Sequence, residues 1–342
     1  MTDRPLVAIT LGDPSGVGPE VIAKALAQPV VHEHGRLFVI GDAPTIRAAV
    51  QQVGSTAAVR TIDAAEAAQS DAKVIDVLEV AGLGADFPTG TLSLDSARAS
   101  HGWVERAAGL AIAGDVAAMA TAPVNKEGWR AAGITDTGHQ EVLKRMSGSD
   151  HVATMLVSGE LRCMHLSTHL SLAEACAFVT REHVLQAIQL THDHFTRWGF
   201  EAPRIGVAAL NPHGSDGGLI GTTEQDEIAP AIADAAAFAI DARGPVPADS
   251  VFNQAIDGDH DVVVVMYHDQ GHIPIKVHGF EESVSVNLGL PFVRTSVDHG
   301  TAFDIAGQNR AQATSMVEAI LLATRLAVGR PLGSTAQTAA SS

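Results

Sequence analysis

Cysteine is nearly absent. The two present, Cys163 and Cys176, cannot build a disulfide framework, and neither belongs to a CxxC pair; each reads as a buried structural thiol. Aromatic residues are scarce at 4%, with three Trp and one Tyr, so Ala, Val, Ile and Leu must do most of the packing. Positive charge is also short: 22 Lys and Arg stand against 39 Asp and Glu, for a formal charge of −17. Nucleic acid needs a basic face and is excluded as a partner. A small phosphorylated ligand is not, because a few placed cations can dominate locally. No run approaches the ~18 uncharged apolar residues of a membrane span, and the opening "MTDRPLVAITLGD" has no long apolar core. The expectation is a cytoplasmic protein with no membrane partner.

What is present is an α/β chain. Its 342 residues, 46% apolar and 18% charged, suffice for two domains or one elaborate α/β unit. Short β-rich runs alternate with segments of helical period. The pattern predicts strands over 6–11, 37–40, 74–77, 116–120, 153–157, 163–166, 205–209, 262–266, 284–288 and 292–295. It predicts helices over 19–27, 43–52, 93–113, 139–146, 181–198, 227–238 and 311–328. Such alternation indicates a mostly parallel, doubly wound sheet, which places ligands beyond the carboxyl ends of its strands. The tail "PLGSTAQTAASS" is small and polar and is expected to be disordered over 331–342.

Histidine is the compositional oddity, at sixteen. Three predicted strands end alike: "MHLSTH" at His169, "GVAALNPH" at His213 and "VVVVMYH" at His268. Each histidine opens what reads as a loop, so all three could converge at one sheet edge. Three neutral imidazoles suit Zn, Mn, Co or Fe and leave positions open for substrate or water; the alternative is three unrelated histidines satisfied by loop hydrogen bonds. The turn "GDPSGVGPE" follows the first strand, and its Gly12, Gly16 and Gly18 could let backbone N–H groups approach an anion or cofactor. It matches neither the P-loop nor GxGxxG, and a turn that merely starts a helix explains it as well. Cations flank other loops: Lys276, Arg294 and Lys126, with Asn125 and His139 nearby, hint at a bound carboxylate or phosphate. In "SVDHGTAFDIAGQ", Asp304 could accept bonds from ribose hydroxyls.

Together, "GDPSGVGPE", "TAPVNK", "LNPHGSDGG", "MYHDQG" and "LGLPFVRTSVDHGTAFDIAG" resemble the 4-hydroxythreonine-4-phosphate dehydrogenase (PdxA) family, from about Leu6 to Ala327. "GVGPE" and "HGTAFDIAG" are also similar to the isocitrate and isopropylmalate dehydrogenases. The resemblance implies a two-lobed fold of that kind. One lobe would span 1–125 and 296–330 and carry cofactor segments; the other, 126–295, would carry metal and substrate residues and a dimer interface. It implies an oxidoreductase that uses NAD and one divalent metal (Zn, Mg, Mn or Co). The substrate would be a small 4-phosphorylated 3-hydroxy four-carbon acid, oxidised with decarboxylation, in a homodimer with a shared active site. Alternatives are an aromatic cis-dihydrodiol dehydrogenase and a metal-dependent hydrolase.

Residue by residue, the resemblance assigns the metal to His169, His213 and His268. Substrate binding falls to His139, Gln140, Lys276, Ser285 and Arg294. Cofactor binding falls to Gly12, Gly16, Gly18, His299, Gly300, Thr301 and Asp304. Asp269 and Lys276 are candidates for catalytic proton handling, although Asp269 could equally orient an imidazole. Gln140 and Ser285 depart from the family's usual Thr and Asn, and Asn287 stands where Thr is usual. "HDQGHIPIK" looks like the branch that acts on four-carbon sugar-acid phosphates; vitamin-B6 members carry Leu where this chain has His272, so His272 is not read as a ligand.

Overall fold

The structure, a computed structural model, describes residues 4–329 except 70, 83 and 85; the tail expected at 331–342 lies outside the described residues. The chain forms two compact units. One runs to Val152 and resumes over Leu290–Val328; the other is Ala153–Gly289. The first unit contributes β1 (Leu6–Thr10), β2 (Arg36–Gly41), β3 (Ala58–Ile62), β4 (Val74–Glu79) and β5 (Ala118–Thr121). The second holds β6 (Ala153–Ser158), β7 (Leu161–His165), β8 (Ile205–Ala208), β9 (Ala242–Val246), β10 (Val262–Val265) and β11 (Val284–Leu288). The chain then returns to the first unit with β12 (Val293–Val297). The division falls after Val152 and Gly289, not at 125 and 295, because helices Lys126–Ala131 and His139–Ser147 pack on helix Leu94–Ala113 of the first unit.

In the first unit the strands run β3-β4-β2-β1-β5-β12, and every pairing is parallel. A parallel sheet is covered on both faces, so its central strands carry near-continuous apolar runs; β1 and β5, "LVAIT" and "AMAT", are buried almost throughout. Helix Leu94–Ala113 packs on β1, β2 and β5, while Thr314–Ala327 packs on β12, β5 and β1 together with Gly18–Leu26. Short polar side chains start the helices Ala43–Gln52, Leu94–Ala113 and Lys126–Ala131. Asp42 accepts from the Thr45 N–H, Ser93 from the Ser96 N–H and Asn125 from the Gly128 N–H. Trp103 and Trp129 anchor the core, and the Trp129 indole donates to Ser100 Oγ at 2.9 Å.

In the second unit the order is β11-β6-β7-β10-β8-β9. β6 pairs antiparallel with both neighbours, and a two-residue turn opened by Gly159 at φ 55° joins it to β7. From β7 through β10 and β8 to β9 the pairing is parallel. β10, "VVVV", is fully buried. Three expectations need correcting here. His268 opens a helix, His268–His278, not a loop; Pro274 inside it disguised the helical run. Cys163 is buried in β7, but Cys176 is exposed on helix Leu172–Phe178. Strands β3 and β9 were not expected because they are half-exposed edge strands, and β9 carries Gly244 and Pro245, which read as breakers.

In the first unit, the turn after β1 is a packing joint. Val17 N–H donates to the Thr301 carbonyl at 2.9 Å. A Cβ on Gly16 would stand 2.7 Å from that carbonyl oxygen and 2.9 Å from Thr301 Cβ. Gly12, at φ 70°, would meet the Pro123 carbonyl, and Gly18 the Leu11 carbonyl. Gly16→Ala should therefore lower stability by about 1–3 kcal/mol through overpacking against backbone that cannot yield. Comparing the urea midpoints of the two proteins checks this, and an unchanged midpoint would contradict it.

Candidate functional site

The second unit places its polar residues at one edge. β7, β10 and β8 are adjacent parallel strands, so the segments carrying His169, His268 and His213 leave the sheet on the same side. Gln270 ties two of these strand ends together: its Oε1 accepts from Met266 N–H at 2.7 Å and its Nε2 donates to the Ala209 carbonyl at 2.7 Å. Ser167 Oγ donates to the Met266 carbonyl at 3.0 Å and joins the third. Gln270 is buried, so both its bonds act where water does not compete.

His213 sits in strained backbone. Residues 213 to 217 all have positive φ, and three of them, His213 (54°), Ser215 (68°) and Asp216 (48°), are not glycine. Each costs of order 1–2 kcal/mol in the left-handed region, so the neighbouring structure must enforce it. Glu224 does so. Its carboxylate accepts from Leu210 N–H at 2.8 Å, Asn211 N–H at 2.6 Å and Asn211 Nδ2 at 2.9 Å, holding the chain just ahead of the turn. Burial raises the carboxyl's pKa, but these bonds outweigh it and keep the value below the ordinary glutamate range. Glu224 also begins a π-helical turn, Glu224–Ile228, a feature common beside functional sites.

His268 Nδ1 lies 2.6 Å from Asp269 Oδ1. A carboxylate only accepts, so Nδ1 carries the proton and Nε2 presents its lone pair. That is the form in which imidazole ligates a metal. Among the described residues no group of three His, Cys, Asp or Glu side chains is placed to hold a metal ion; the three strand-end imidazoles share an edge without closing on one point in a single chain. Lys276 donates to Ser283 Oγ at 3.2 Å and lies 4.9 Å from the centre of the Phe280 ring. Ser285 is on β11, paired in register with Leu156, and Asn287 is buried on the same strand.

The first unit gathers His139, Gln140 and Arg294. Arg294, 5% exposed on β12, donates from Nε and Nη2 to Thr121 Oγ1 at 3.1 and 2.7 Å. Burial pulls its guanidinium down to about 9, an effect that nearby Glu141 only partly offsets, and the group stays cationic at neutral pH. Burial, with Arg294 and Lys126 close by, holds His139 well below the ordinary histidine value, so its ring is neutral. Its Nε2 is buried with no hydrogen-bond partner among the described residues. A buried cation beside an unsatisfied neutral imidazole is an arrangement that an anion would complete. Gln140 Nε2 donates to the Val152 carbonyl at 3.1 Å.

The expected cofactor residues divide. Gly12, Gly16 and Gly18 are buried and take part in the backbone packing already described. Thr301 is buried against Gly16, while His299, Gly300 and Asp304 are exposed in the following loop. Sequence reasoning did not single out Glu224, and His165 is a further omission: it packs on Gly271 and bonds to His272. The signal for Glu224 was weak, one acid in "TTEQDE"; for His165 it was a histidine in the most buried part of "CMHLSTH".

Polar and charged residues collected at the carboxyl ends of parallel strands make this an α/β protein whose candidate ligand groups lie at the strand ends. The chain matches the family described as pyridoxal phosphate biosynthetic protein PdxA over residues 33–323 and belongs to that family. It is 43% identical over 325 residues to the 4-hydroxythreonine-4-phosphate dehydrogenase of Geobacter metallireducens, covering 95% of this chain and 96% of that one. It is 42% identical over 327 residues to the D-threonate 4-phosphate dehydrogenase of Cupriavidus necator, covering 95% and 98%. A crystal structure of 4-hydroxythreonine-4-phosphate dehydrogenase from Klebsiella pneumoniae superimposes with a TM-score of 0.88 at 37% identity, covering 96% and 99%. The resemblance drawn from the five motifs is borne out.

The buried histidines set a pH dependence. Burial lowers His165 to about 3 and His194 to about 4, and also lowers His139 and His260. Their folded values lie below the unfolded value of about 6.5, so the unfolded chain binds more protons below that pH. Their stability contribution is complete above pH about 6.5 and is lost as pH falls. Asp13 runs the other way: burial raises it to about 6, so it favours the folded state as pH falls through 6. Melting temperature should drop between pH 7 and 5, and drop more steeply in Asp13→Asn; a rise in the parent protein would contradict this.

Proposed function

We propose that the chain is an NAD-dependent and divalent-metal-dependent oxidoreductase acting on CH–OH. Its substrate would be a 4-phosphorylated 3-hydroxy four-carbon acid, oxidised with decarboxylation to a phosphorylated ketone and CO2. The observation that carries this reading is the pairing of buried Arg294 with the neutral, unsatisfied His139, a receptor for a phosphate or carboxylate on a chain of net charge −17. Relatives named for 4-hydroxythreonine 4-phosphate and for D-threonate 4-phosphate are similar to nearly the same degree, at 43% and 42% identity, which supports a substrate of this class without choosing between the two.

His169, His213 and His268 would hold the cation. The Nδ1–H of His268, directed at Asp269, fits that role because it leaves Nε2 as donor atom. When bound, the ion supplies a Lewis acid for the hydroxyl being oxidised and for the electrons released as CO2 leaves. The exposed loop of His299, Gly300 and Asp304 would hold NAD, the hydride acceptor. Arg294 and His139 fix the anionic end of the substrate, which sets the orientation of its hydroxyl. Lys276, on helix His268–His278, would handle the proton. Asp269, bonded to His268, orients that ring.

A second copy of the chain would complete the metal site. Helix His268–His278 and its flank expose Ile273, Val277 and Phe280 at 58%, 82% and 72%. Ile273 and Val277, one turn apart, share a face of the helix, and Phe280 follows just beyond its end. Leu219, 84% exposed, lies beside the His213 turn. Such a surface suits burial in a homodimer.

The purified protein, supplied with NAD and Mn²⁺ or Zn²⁺, should form NADH with 4-phosphohydroxythreonine or with D-threonate or D-erythronate 4-phosphate. His213→Ala should lose at least about a hundredfold in kcat while NAD affinity is retained. Turnover by His213→Ala at the parental rate, or oxidation of aromatic cis-dihydrodiols alone, would contradict the proposal.

A further inference from the structure

In the second unit, the assigned ligand His268 is embedded in a chain of histidines that the proposed reaction does not use. His272 stacks on His268 with ring centres 3.5 Å apart and planes at 12°. His272 Nδ1 lies 3.1 Å from the His268 carbonyl oxygen and 3.0 Å from His165 Nε2. His165 Nδ1 lies 3.1 Å from the Thr154 carbonyl.

One assignment of protons satisfies all three of these contacts. A carbonyl only accepts, so His272 Nδ1 carries hydrogen. His165 Nε2 must then offer a lone pair to it, and the proton of His165 resides on Nδ1, where Thr154 accepts it. The chain ends on backbone of the sheet. His165 is buried in β7 and packs so closely on Gly271 that any side chain at 271 would collide with its ring. His272 is therefore fixed from behind by a rigid group.

His268 is restrained on two sides of very different stiffness. Asp269 holds its Nδ1 edge, but that carboxylate has a side-chain exposure of 68% and is the next residue in the chain. His272 covers its face and is anchored in the core. We propose that His272, held by His165, is a positioning residue that fixes the ring plane of His268 for metal binding. The inference rests on the assignment of His268 as a ligand.

Cobalt binding to the metal-stripped full-length protein tests it without turnover. Affinity is read by competition with a chelator, and geometry by the visible absorption of the bound ion. His272→Ala should weaken Co²⁺ binding about 10-fold and alter the spectrum, within the 10- to 100-fold range for removing a group that orients a ligand. His272→Phe keeps a stacked ring of similar size and should recover to within about threefold of the parent. His165→Leu, which releases the anchor, should fall between the two. NAD affinity and the melting temperature of the metal-free protein serve as controls for folding. The proposal is overturned if His272→Ala binds Co²⁺ with parental affinity and spectrum, or if His272→Phe is no better than His272→Ala. His268→Ala separates the two levels: parental Co²⁺ binding there would remove the metal assignment itself, whereas its loss with unchanged His272→Ala would remove only the positioning role.

Discussion

Gln270 is the interaction on which the second unit's chemistry depends. One buried amide accepts from the end of β10 and donates to the carbonyl just past β8, so the segments bearing His268 and His213 cannot separate without breaking two hydrogen bonds away from water. The surrounding groups repeat that logic. Glu224 enforces the left-handed turn at His213, Ser167 ties in the strand leading to His169, and His165 backs His272. Each partner is neutral or accepts several N–H donors, so the edge is rigid without requiring an isolated buried charge.

The first unit solves a different problem. Binding an anion to an acidic protein requires a local field that the net charge does not supply. Arg294 is kept in β12 among apolar strands, held by a hydroxyl at Thr121, and the neutral ring of His139 adds a polar atom that no group among the described residues satisfies. Both groups carry a desolvation cost in the folded protein. An anion that accepts from them relieves that cost, so the same burial that destabilises the empty arrangement strengthens binding.

Much of this was legible in the sequence because parallel sheets write themselves plainly. β10 is four valines, and the runs in β1, β2, β5 and β8 are nearly as uniform. His169, His213 and His268 could be placed at strand ends on that basis alone. The edge strands β3 and β9 were not legible, since a half-exposed edge needs no apolar run and tolerates Gly244 and Pro245. The helix at His268 was hidden by Pro274, and the unit boundary by the absence of any linker. Gly12, Gly16 and Gly18 advertised a close backbone approach, and the chain's own carbonyls stand near all three. Supporting residues such as Glu224, Gln270 and His165 act through contacts distant in sequence, which no local pattern encodes.

The central claim is that three strand-end imidazoles serve one cation. Anomalous diffraction from crystals grown with Zn²⁺ tests it most directly. The account predicts a single strong peak about 2.0–2.1 Å from a ring nitrogen of each of His169, His213 and His268, with the three rings drawn from two copies of the chain. A peak held by other residues, or these three rings arranged around no common ion, would contradict it.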